Sequence, residues 1–287
     1  MRQYLIKLFA SLSRLLRRTP LARSRALNRL QAVLVVRLHG SDTVEVGGFQ
    51  ISFHPRERVL SKRLILYGGH EKHELTVLCS EARAGDVAMD IGANVGIYSL
   101  HLSRAVGDRG KVFAVEPDPG NLALLRRNLD ANQCRNVEIW PYALGRRAGT
   151  VALYQVEDHR GNMSVADLQG TKRSVSVEMK TGRELLAARS VTPRLVKMDV
   201  EGSEPDVFEG LGFCPEVMLF EFVPGQIEAV GHDPLSFLER LANLGYELES
   251  VNPDTGQRLA SRPVDLLEHA AGAARVCNVY ATRKLTR

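Results

Sequence analysis

Short apolar runs separated by helix-length amphipathic segments recur along this chain. Val87–Ile91 and Val112–Val115 are two such runs, and the segment from about Ile97 to Ala105 between them has helical spacing. A strand, a helix and a second strand in this order form a βαβ unit, in which the two strands are parallel. The pattern therefore predicts an α/β protein in which helices cover both faces of a parallel sheet.

The same alternation continues toward the C-terminus. Leu122, Leu125 and Leu129 recur at helical spacing, and Phe237–Leu244 is a second amphipathic stretch that ends at a glycine. Further strands are predicted at Val137–Leu144, from Leu195, at Val217–Val223, at Tyr246–Val251 and at Ala274–Thr282. The polar segment Leu259–Ala271 is predicted to be a loop.

Two other regions alternate with the period of a strand. Thr43–Phe53 alternates around Gly47 and Gly48, which is typical of a β-hairpin placed before the main sheet. Thr150–Gln155 and Ser174–Thr181 predict an added hairpin, with a long polar loop between its strands. Long loops at the carboxyl edge of such a sheet commonly contact substrates.

Positive charge is concentrated at the start of the chain. The net charge of the 287 residues is +5, yet residues 1–40 contain nine Arg or Lys and no acidic residue. The rest of the chain carries 29 basic against 33 acidic residues. A mildly acidic domain is a poor surface for polyanions, so we expect no nucleic acid partner.

The first 20 residues are amphipathic as well as basic. Leucine and phenylalanine recur at helical spacing until Pro20, with Lys and Arg between them, and no uncharged run is long enough to cross a bilayer. One interpretation is peripheral contact of residues 1–20 with the anionic inner face of a membrane. The alternative is a helix packed on its own domain or on a second subunit.

The length and the cysteines suggest how the chain is organised. It is long enough for one large core with an extension, and we divide it into a basic amphipathic extension (1–40), a hairpin with a cap helix (41–84) and a main domain (85–287). The four cysteines are scattered without the spacing of a zinc or redox motif. They predict reduced thiols in a cytoplasmic protein.

The glycine turn after the first strand of the main domain limits the choice of ligand. A dinucleotide fingerprint needs G-x-G-x-x-G, but Asn94 and Ile97 occupy the second and third glycine positions. Asp90 places a carboxylate where a phosphate would be repelled and an ammonium group attracted. Glu116, at the end of the next strand, is placed to accept hydrogen bonds from both ribose hydroxyls. A nucleoside with a cationic amino-acid tail and no phosphate is S-adenosylmethionine.

Three motifs resemble those of the FkbM family of S-adenosylmethionine-dependent methyltransferases. They are DIGANVG at Asp90–Gly96, VEP at Val115–Pro117 and KMDVEGSE at Lys197–Glu204, and the resemblance covers roughly Ile65–Val223. It implies a Rossmann-like class I methyltransferase sheet, mostly parallel with an antiparallel last strand, helices on both faces, and S-adenosylmethionine as the cofactor.

The turn chemistry and the resemblance together give a set of candidate cofactor residues. Pro117, Asp118, Ala143 and Leu144 are expected by the adenine, and Glu71 matches the glutamate of an aromatic–Glu pair, with His70 replacing the aromatic residue. A solvated helix face is the alternative for Glu71. The full set is Asp90, Gly92, Asn94, Gly96, Glu116, Pro117, Asp118, Ala143, Leu144 and Glu71.

The polar loop between the strands of the added hairpin is expected to contact the acceptor. The family places an asparagine and a small hydroxyl residue in this loop, which Asn162 and Ser164 match. His159 is the nearby side chain able to act as a base near neutral pH. The alternative for His159 is a solvated loop residue.

A second group of charges interrupts the strand that begins at Leu195. Lys197, Asp199 and Glu201 share one side of an extended chain, and buried charges are costly unless they are paired. We assign Glu201 and Asp199 to positioning the acceptor hydroxyl and taking up its proton. Lys197 is placed on the acceptor side, where it would neutralise them, with Glu221 as a further partner. A purely structural ion pair is the alternative.

No metal site is expected. His70, Glu71, His73 and Glu74 lie close together, but they lack the i, i+4 histidine pair of a zinc helix. The predicted function is O-methylation of a hydroxyl group on a sugar, glycan or natural product. The alternatives are a nucleic-acid methyltransferase tethered by the basic arm and a non-catalytic binding module with the same fold.

Overall fold

The computed structural model describes residues 9, 25–54, 57–69, 71–155, 163–164, 174–271 and 276–283. Most of the predicted N-terminal helix, together with His70, His159 and Asn162, therefore lies outside the described residues. Phe9 packs against the buried pair Val35 and Leu66, a contact with the chain's own domain. Among the described helices, none combines the length and the apolar character that crossing a membrane requires.

The described helices and strands alternate along most of the chain. The helices are α1 (Arg25–His39), α2 (Arg58–Tyr67), α3 (Lys72–Ser80), α4 (Ile97–Val106), α5 (Pro119–Ala131), α6 (Gly182–Ala187), α7 (Glu204–Leu211), α8 (Pro224–Ala229), α9 (Pro234–Asn243) and α10 (Pro263–Ala271). The strands are β1 (Thr43–Val46), β2 (Phe49–Ser52), β3 (Val87–Ile91), β4 (Lys111–Val115), β5 (Val137–Trp140), β6 (Ala143–Leu144), β7 (Gly149–Gln155), β8 (Met163–Ser164), β9 (Ser174–Lys180), β10 (Leu195–Met198), β11 (Val217–Phe222), β12 (Tyr246–Val251), β13 (Arg258–Ala260) and β14 (Cys277–Arg283).

An eight-stranded sheet forms the centre of the molecule. Its order is β13-β12-β14-β11-β10-β3-β4-β5, with parallel pairing from β11 through β5 and antiparallel pairing on both sides of β14. The predicted class I methyltransferase fold, with its antiparallel last strand, is confirmed. Because parallel strands end at the same edge, Ile91, Val115 and Met198 bring the segments that follow them together.

The parallel strands are buried on both faces, as their apolar sequences predict. All four residues of β10 are buried, although one of them is Lys197. The register of β10 and β3 places Lys197 directly beside Asp90, so that the sheet itself pairs the two opposite charges. Two charges that interrupt separate apolar runs in the sequence are thus neighbours in the fold.

A smaller four-stranded sheet has the order β6-β9-β7-β8. Its antiparallel β7–β9 pair confirms the predicted added hairpin. The single strand predicted for Val137–Leu144 is wrong, because the chain leaves the main sheet at Pro141 and β6 joins the smaller sheet. Proline cannot donate a ladder hydrogen bond, which explains the break.

The region before the main sheet contains the predicted hairpin and more than one helix. β1 and β2 pair around Gly47 and Gly48, whose φ values of 59° and 76° suit a tight turn. The predicted cap helix is divided into α2 and α3, because Gly68 ends α2 in the left-handed conformation.

The predicted loop at Leu259–Ala271 is wrong. The segment forms β13, which pairs with β12, and α10, which begins at Pro263. Leu266 and Ala270 are four residues apart and are the buried residues of this helix. One short apolar stripe among polar residues was too weak a signal for this helix to be predicted from the sequence.

Candidate active site

Two neighbouring cavities lie at the carboxyl edge of the parallel strands. The first, about 70 Å³, is lined by Glu116 and is called the Glu116 cavity; the second, about 290 Å³, is lined by Glu221 and is called the Glu221 cavity. Gly92, Asn94, Asp199 and Glu201 line both. A ligand that extends from one cavity into the other would therefore pass these shared residues.

The glycine turn between β3 and α4 forms the floor of both cavities. Gly92 has a φ of 79°, and a Cβ added to it would lie 1.9 Å from the backbone oxygen of Asp199. No side chain fits at this position, so glycine allows the turn and the segment after β10 to pack directly against each other. This packing fixes the position of the backbone that carries Asp199 and Glu201.

Glu116 is held in the Glu116 cavity by backbone amides. Its Oε2 accepts from the Asn94 N–H and its Oε1 from the Asp118 N–H, both at 2.8 Å. Oε2 keeps a second lone pair, so the carboxylate can still accept a ligand hydroxyl. Burial raises the pKa of Glu116 to about 7.

The other walls of the Glu116 cavity are mostly apolar. Pro117, Ala143 and Leu144 line it as predicted, and Tyr142 and Leu153 line it as well. Trp140 does not line this cavity; it lies in the core with its ring centroid 4.5 Å from that of Phe113. A carboxylate facing apolar walls suits the ribose and the base of a nucleoside.

Three predicted cofactor residues do not line either cavity. Asp90 is fully buried beneath the turn, where its Oδ2 accepts from Ser99 Oγ at 2.6 Å. Asp118 caps α5 by accepting from the Asn121 N–H at 2.8 Å. A Cβ on Gly96 would lie 2.5 Å from Leu125 Cδ1, so this glycine allows α4 and α5 to pack closely. Their placement gives all three a supporting role, and it does not favour the predicted contact of Asp90 with an ammonium group.

Glu71 and Tyr98 form one side of the Glu221 cavity. Tyr98 Oη donates a hydrogen bond to Glu71 Oε2 at 3.0 Å. Glu71 therefore does not lie on a solvated helix face; it borders the cleft at the start of α3. Its φ of 47° is left-handed, a conformation that a non-glycine residue adopts at a cost.

Lys197 is buried between the turn and the acidic residues. Its Nζ lies 3.4 Å from the Gly92 carbonyl oxygen, 3.4 Å from Asp199 Oδ2 and 3.9 Å from Asp90 Oδ1. The ammonium group also lies 5.0 Å from the centroid of the Tyr98 ring. The charge of Lys197 is thus used within the protein, as the neutralising role predicts, although the residue also borders the Glu221 cavity.

Asp199, Glu201 and Glu221 bring their carboxylates together in this cavity. One oxygen from each lies within 4.8 Å of the others, and a metal ion could be held by such a group. Glu201 is 7% exposed and accepts from Gln226 Nε2 at 2.5 Å. Burial raises the pKa of Glu221 well above its usual range, and the charges of Asp199 and Glu201 raise it further.

Backbone strain is concentrated at this cleft. Glu71, Asn94 and Glu201 are three of the five described non-glycine residues with positive φ, and all three line the Glu221 cavity. Asp199 and Glu201 were predicted to lie along an extended strand. Instead, β10 ends at Met198, and Glu201 has a φ of 53°. The left-handed turn, rather than strand alternation, brings Glu201 into the cavity.

The predicted acceptor loop is largely outside the described residues. His159 and Asn162 lie there, so their proposed contacts stay predictions. Ser164 belongs to β8, where it pairs with Tyr154 of β7. In the His–Glu group before β3, Glu74 accepts a hydrogen bond from Asn278 Nδ2 at 3.0 Å, and His70 lies outside the described residues.

Sequence reasoning missed two polar residues of the cleft. Tyr98 lies in the first turn of α4, where it reads as a core aromatic residue, and Gln226 follows β11 in a short helix. The proline at the start of α8 marks a helix but not a function. The acidic residue inside the apolar run of β11 was the available signal, because it indicates that the end of this strand borders a polar site.

The described residues fit S-adenosylmethionine. Glu116 offers an acceptor for ribose hydroxyls, the apolar residues around Ala143 suit the base, and Glu71 offers a carboxylate for an ammonium group. Gly92 lines both cavities, so the glycine turn borders a ligand that extends from one into the other. Among the described residues, no cationic side chain lines the Glu116 cavity, which fits a ligand without phosphate.

Comparisons with known proteins show the family of this chain. Residues 90–248 match the family model described as the methyltransferase FkbM domain. The chain is similar to the hexuronic acid methyltransferase AglP of Haloferax volcanii, with 28% identity over 187 residues that cover 64% of this chain and 74% of that protein. It is also similar to Methyltransferase 1 of Beauveria bassiana, with 27% identity over 143 residues.

The shared lengths differ between these relatives. The match to the Beauveria bassiana protein covers 43% of this chain and 57% of that protein, less than two thirds of its length. A solved structure, an S-adenosylmethionine-dependent O-methyltransferase from Thermotoga maritima, aligns with a TM-score of 0.41 and 14% identity. That alignment covers 86% of this chain and 78% of the other.

Proposed function

Because this chain belongs to the FkbM methyltransferase family and takes S-adenosylmethionine as its cofactor, we propose that it methylates a hydroxyl oxygen. The proposed acceptor is a sugar, a glycan or a hydroxylated natural product, with a sugar favoured. The observation that carries the proposal is the position of Asp199 and Glu201, which line both cavities. They lie where a ligand in the Glu116 cavity would meet one in the Glu221 cavity.

For this reaction, the protein has to align the two reactants and remove one proton. S-adenosylmethionine supplies an electrophilic methyl group on a sulfonium. Holding two reactants in line can lower the barrier by ~7 to 11 kcal/mol, so a strong acid or nucleophile is not required. The cleft residues then have to hold the acceptor oxygen in place and take its proton.

Glu201 is the proposed base. It is buried, it lines both cavities, and its Oε2 is oriented by Gln226. As the acceptor oxygen forms its bond to the methyl carbon, the bond from that carbon to the sulfonium sulfur would break and leave a neutral thioether, and the hydroxyl proton would pass to the Glu201 carboxylate. Asp199 is paired with Lys197 at 3.4 Å, and in this proposal it accepts a hydrogen bond that orients the acceptor.

The walls of the Glu221 cavity suit a sugar ring. Val59 and Leu60 of α2 line one side, and Glu201 and Glu221 line another. A pyranose has an apolar C–H face and an edge of hydroxyl groups, which would match these two kinds of wall. The name of the Haloferax volcanii relative, a hexuronic acid methyltransferase, supports a sugar acceptor as well.

The experiment is a transfer assay with methyl-labelled S-adenosylmethionine and a panel of sugars, hydroxylated natural products and RNA. We expect label on a sugar or natural-product hydroxyl and none on RNA. Label on RNA would favour the tethered nucleic-acid methyltransferase. Tight S-adenosylmethionine binding with no transfer to any acceptor would favour the non-catalytic binding module.

A further inference from the structure

The turn that carries Glu201 is clamped by α8 at two points. A Cβ on Gly202 would lie 2.5 Å from the backbone oxygen of Gln226, so the turn and α8 pack backbone against backbone. The Gln226 side chain then reaches Glu201, with Nε2 2.5 Å from Oε2. One residue of α8 thus contacts both the backbone of the turn and the carboxylate that it carries.

Each partner in this clamp has its own anchor. Ile227, next to Gln226, is fully buried in the main core and holds α8 in place. On the other side, Glu204 Oε1 accepts from the Val200 N–H at 3.1 Å and from the Gly202 N–H at 3.4 Å. The backbone of the turn is therefore fixed without the Gln226 amide, and that amide is left to orient the carboxylate.

We infer that Gln226 is a positioning residue for Glu201. The inference rests on the proposed function, because it concerns the base assigned there. Glu201 has a left-handed φ of 53° and lies beside the carboxyl groups of Glu221 and Asp199, which offer its carboxylate no positive charge. A neutral amide donor holds one oxygen of Glu201 and adds no charge, so the other oxygen can face the acceptor.

The test is a double-mutant cycle in the full-length enzyme. Gln226→Met keeps the length of the side chain and removes the donor. A hydrogen bond to a charged group is worth about 1.5 to 3 kcal/mol, so we expect kcat to fall on the order of 10- to 100-fold. The Kd for S-adenosylmethionine should stay within about twofold, because the clamp does not contact Glu116.

The cycle separates positioning from a general structural role. In a Glu201→Gln background, Gln226→Met should have almost no further effect on kcat, since the carboxylate that it orients is gone. Gln226→Glu, a second variant of the same shape, should lower kcat at least as much as Gln226→Met. A crystal structure of Gln226→Met should show the Glu201 side chain rotated away from its position in the native protein.

Three results would overturn the inference. They are an unchanged kcat in Gln226→Met, an equal loss in the native and Glu201→Gln backgrounds, or a parallel loss of cofactor binding. Failure of the proposed function looks different: the native enzyme would methylate an acceptor atom other than a hydroxyl oxygen, or Glu201→Gln alone would retain full turnover. Gln257→Met, an exposed glutamine in a turn, is the matched control and should leave kcat unchanged.

Discussion

The two cavities of the cleft are built in different ways. In the Glu116 cavity, one carboxylate is fixed by backbone N–H groups of Asn94 and Asp118, which are close to it in sequence. In the Glu221 cavity, carboxylates from separate parts of the chain meet and are fixed by side chains such as Lys197 and Gln226. The first design relies mainly on backbone donors, with the Asn121 side-chain amide as a further donor at 3.4 Å, whereas the second relies on side chains.

Apart from Glu71, which lines the Glu221 cavity and offers its carboxylate to the cofactor, the difference separates recognition of the cofactor from handling of the acceptor. Backbone anchors suit a ligand that is the same in every turnover and every relative. Side-chain anchors can be changed one residue at a time, which allows the acceptor end to vary while the cofactor end stays the same. Substitutions in the two cavities should therefore change different measured quantities.

The largest expected effect is on turnover and comes from the Glu221 cavity. Glu201→Gln keeps the shape and removes the base, so kcat should fall by about 10² to 10⁴. The Kd for S-adenosylmethionine, measured by calorimetry, should stay nearly constant. Undiminished turnover in this variant would show that Glu201 is not the base. A loss of cofactor affinity would show that the two cavities do not have separate roles.

The next effect tests the buried cation of the Glu221 cavity. Lys197→Met leaves Asp90 buried without its cation, and breaking a buried ion pair costs about 3 to 5 kcal/mol of unfolding free energy. Lys111→Met is the control, because Lys111 pairs with Glu138 at the surface. Loss of this pair should lower the unfolding free energy by less than about 1 kcal/mol. Urea denaturation of both variants provides the comparison; equal costs would mean that Lys197 is not a structural cation.

A third substitution addresses the Glu116 cavity. Glu116→Ala removes the predicted ribose acceptor, and loss of one hydrogen bond to a charged group, about 1.5 to 3 kcal/mol, should raise the Kd for S-adenosylmethionine about 10- to 100-fold. The kcat at saturating cofactor should change much less than in Glu201→Gln. Calorimetry gives the first quantity and initial rates give the second; an unchanged Kd would contradict the ribose contact.

The smallest effect is a pH dependence of cofactor binding. Burial raises the pKa of Glu116 to about 7, and the ionised form is the better hydrogen-bond acceptor. The affinity for S-adenosylmethionine should therefore rise by up to about tenfold per pH unit below pH 7 and level off above it. Glu116→Gln cannot ionise there and should lose this dependence. An identical slope in native protein and variant would assign the titration to another group.

The same contrast explains what could be predicted from sequence. The βαβ unit, the glycine turn and Glu116 lie within one short stretch, where strand and turn signals are local and strong. Gln226 and Tyr98 contribute only through packing between distant segments. The proximity of Glu201 to Glu221 depends on a left-handed turn that no propensity favours for glutamate.

Some misassigned residues show the same limit. Asp90 lies just before the glycine turn, and Asp118 lies just after the end of the next strand, both as predicted. Asp90 is nevertheless buried under the turn, and Asp118 caps a helix. Sequence position fixes which end of a strand a residue occupies, but not whether its side chain faces a ligand or a neighbouring helix. Burial and capping partners decide that, and they come from other elements.

The most direct test of the central claim is to locate the transferred methyl group. The enzyme would be incubated with ¹³C-methyl S-adenosylmethionine and its best sugar acceptor, and the product examined by NMR. We predict a ¹³C-methyl ether on a ring hydroxyl oxygen that is formed by the native enzyme and largely lost in Glu201→Gln. A methyl group on nitrogen, on carbon or on a nucleic acid, with cofactor binding intact, would contradict the account.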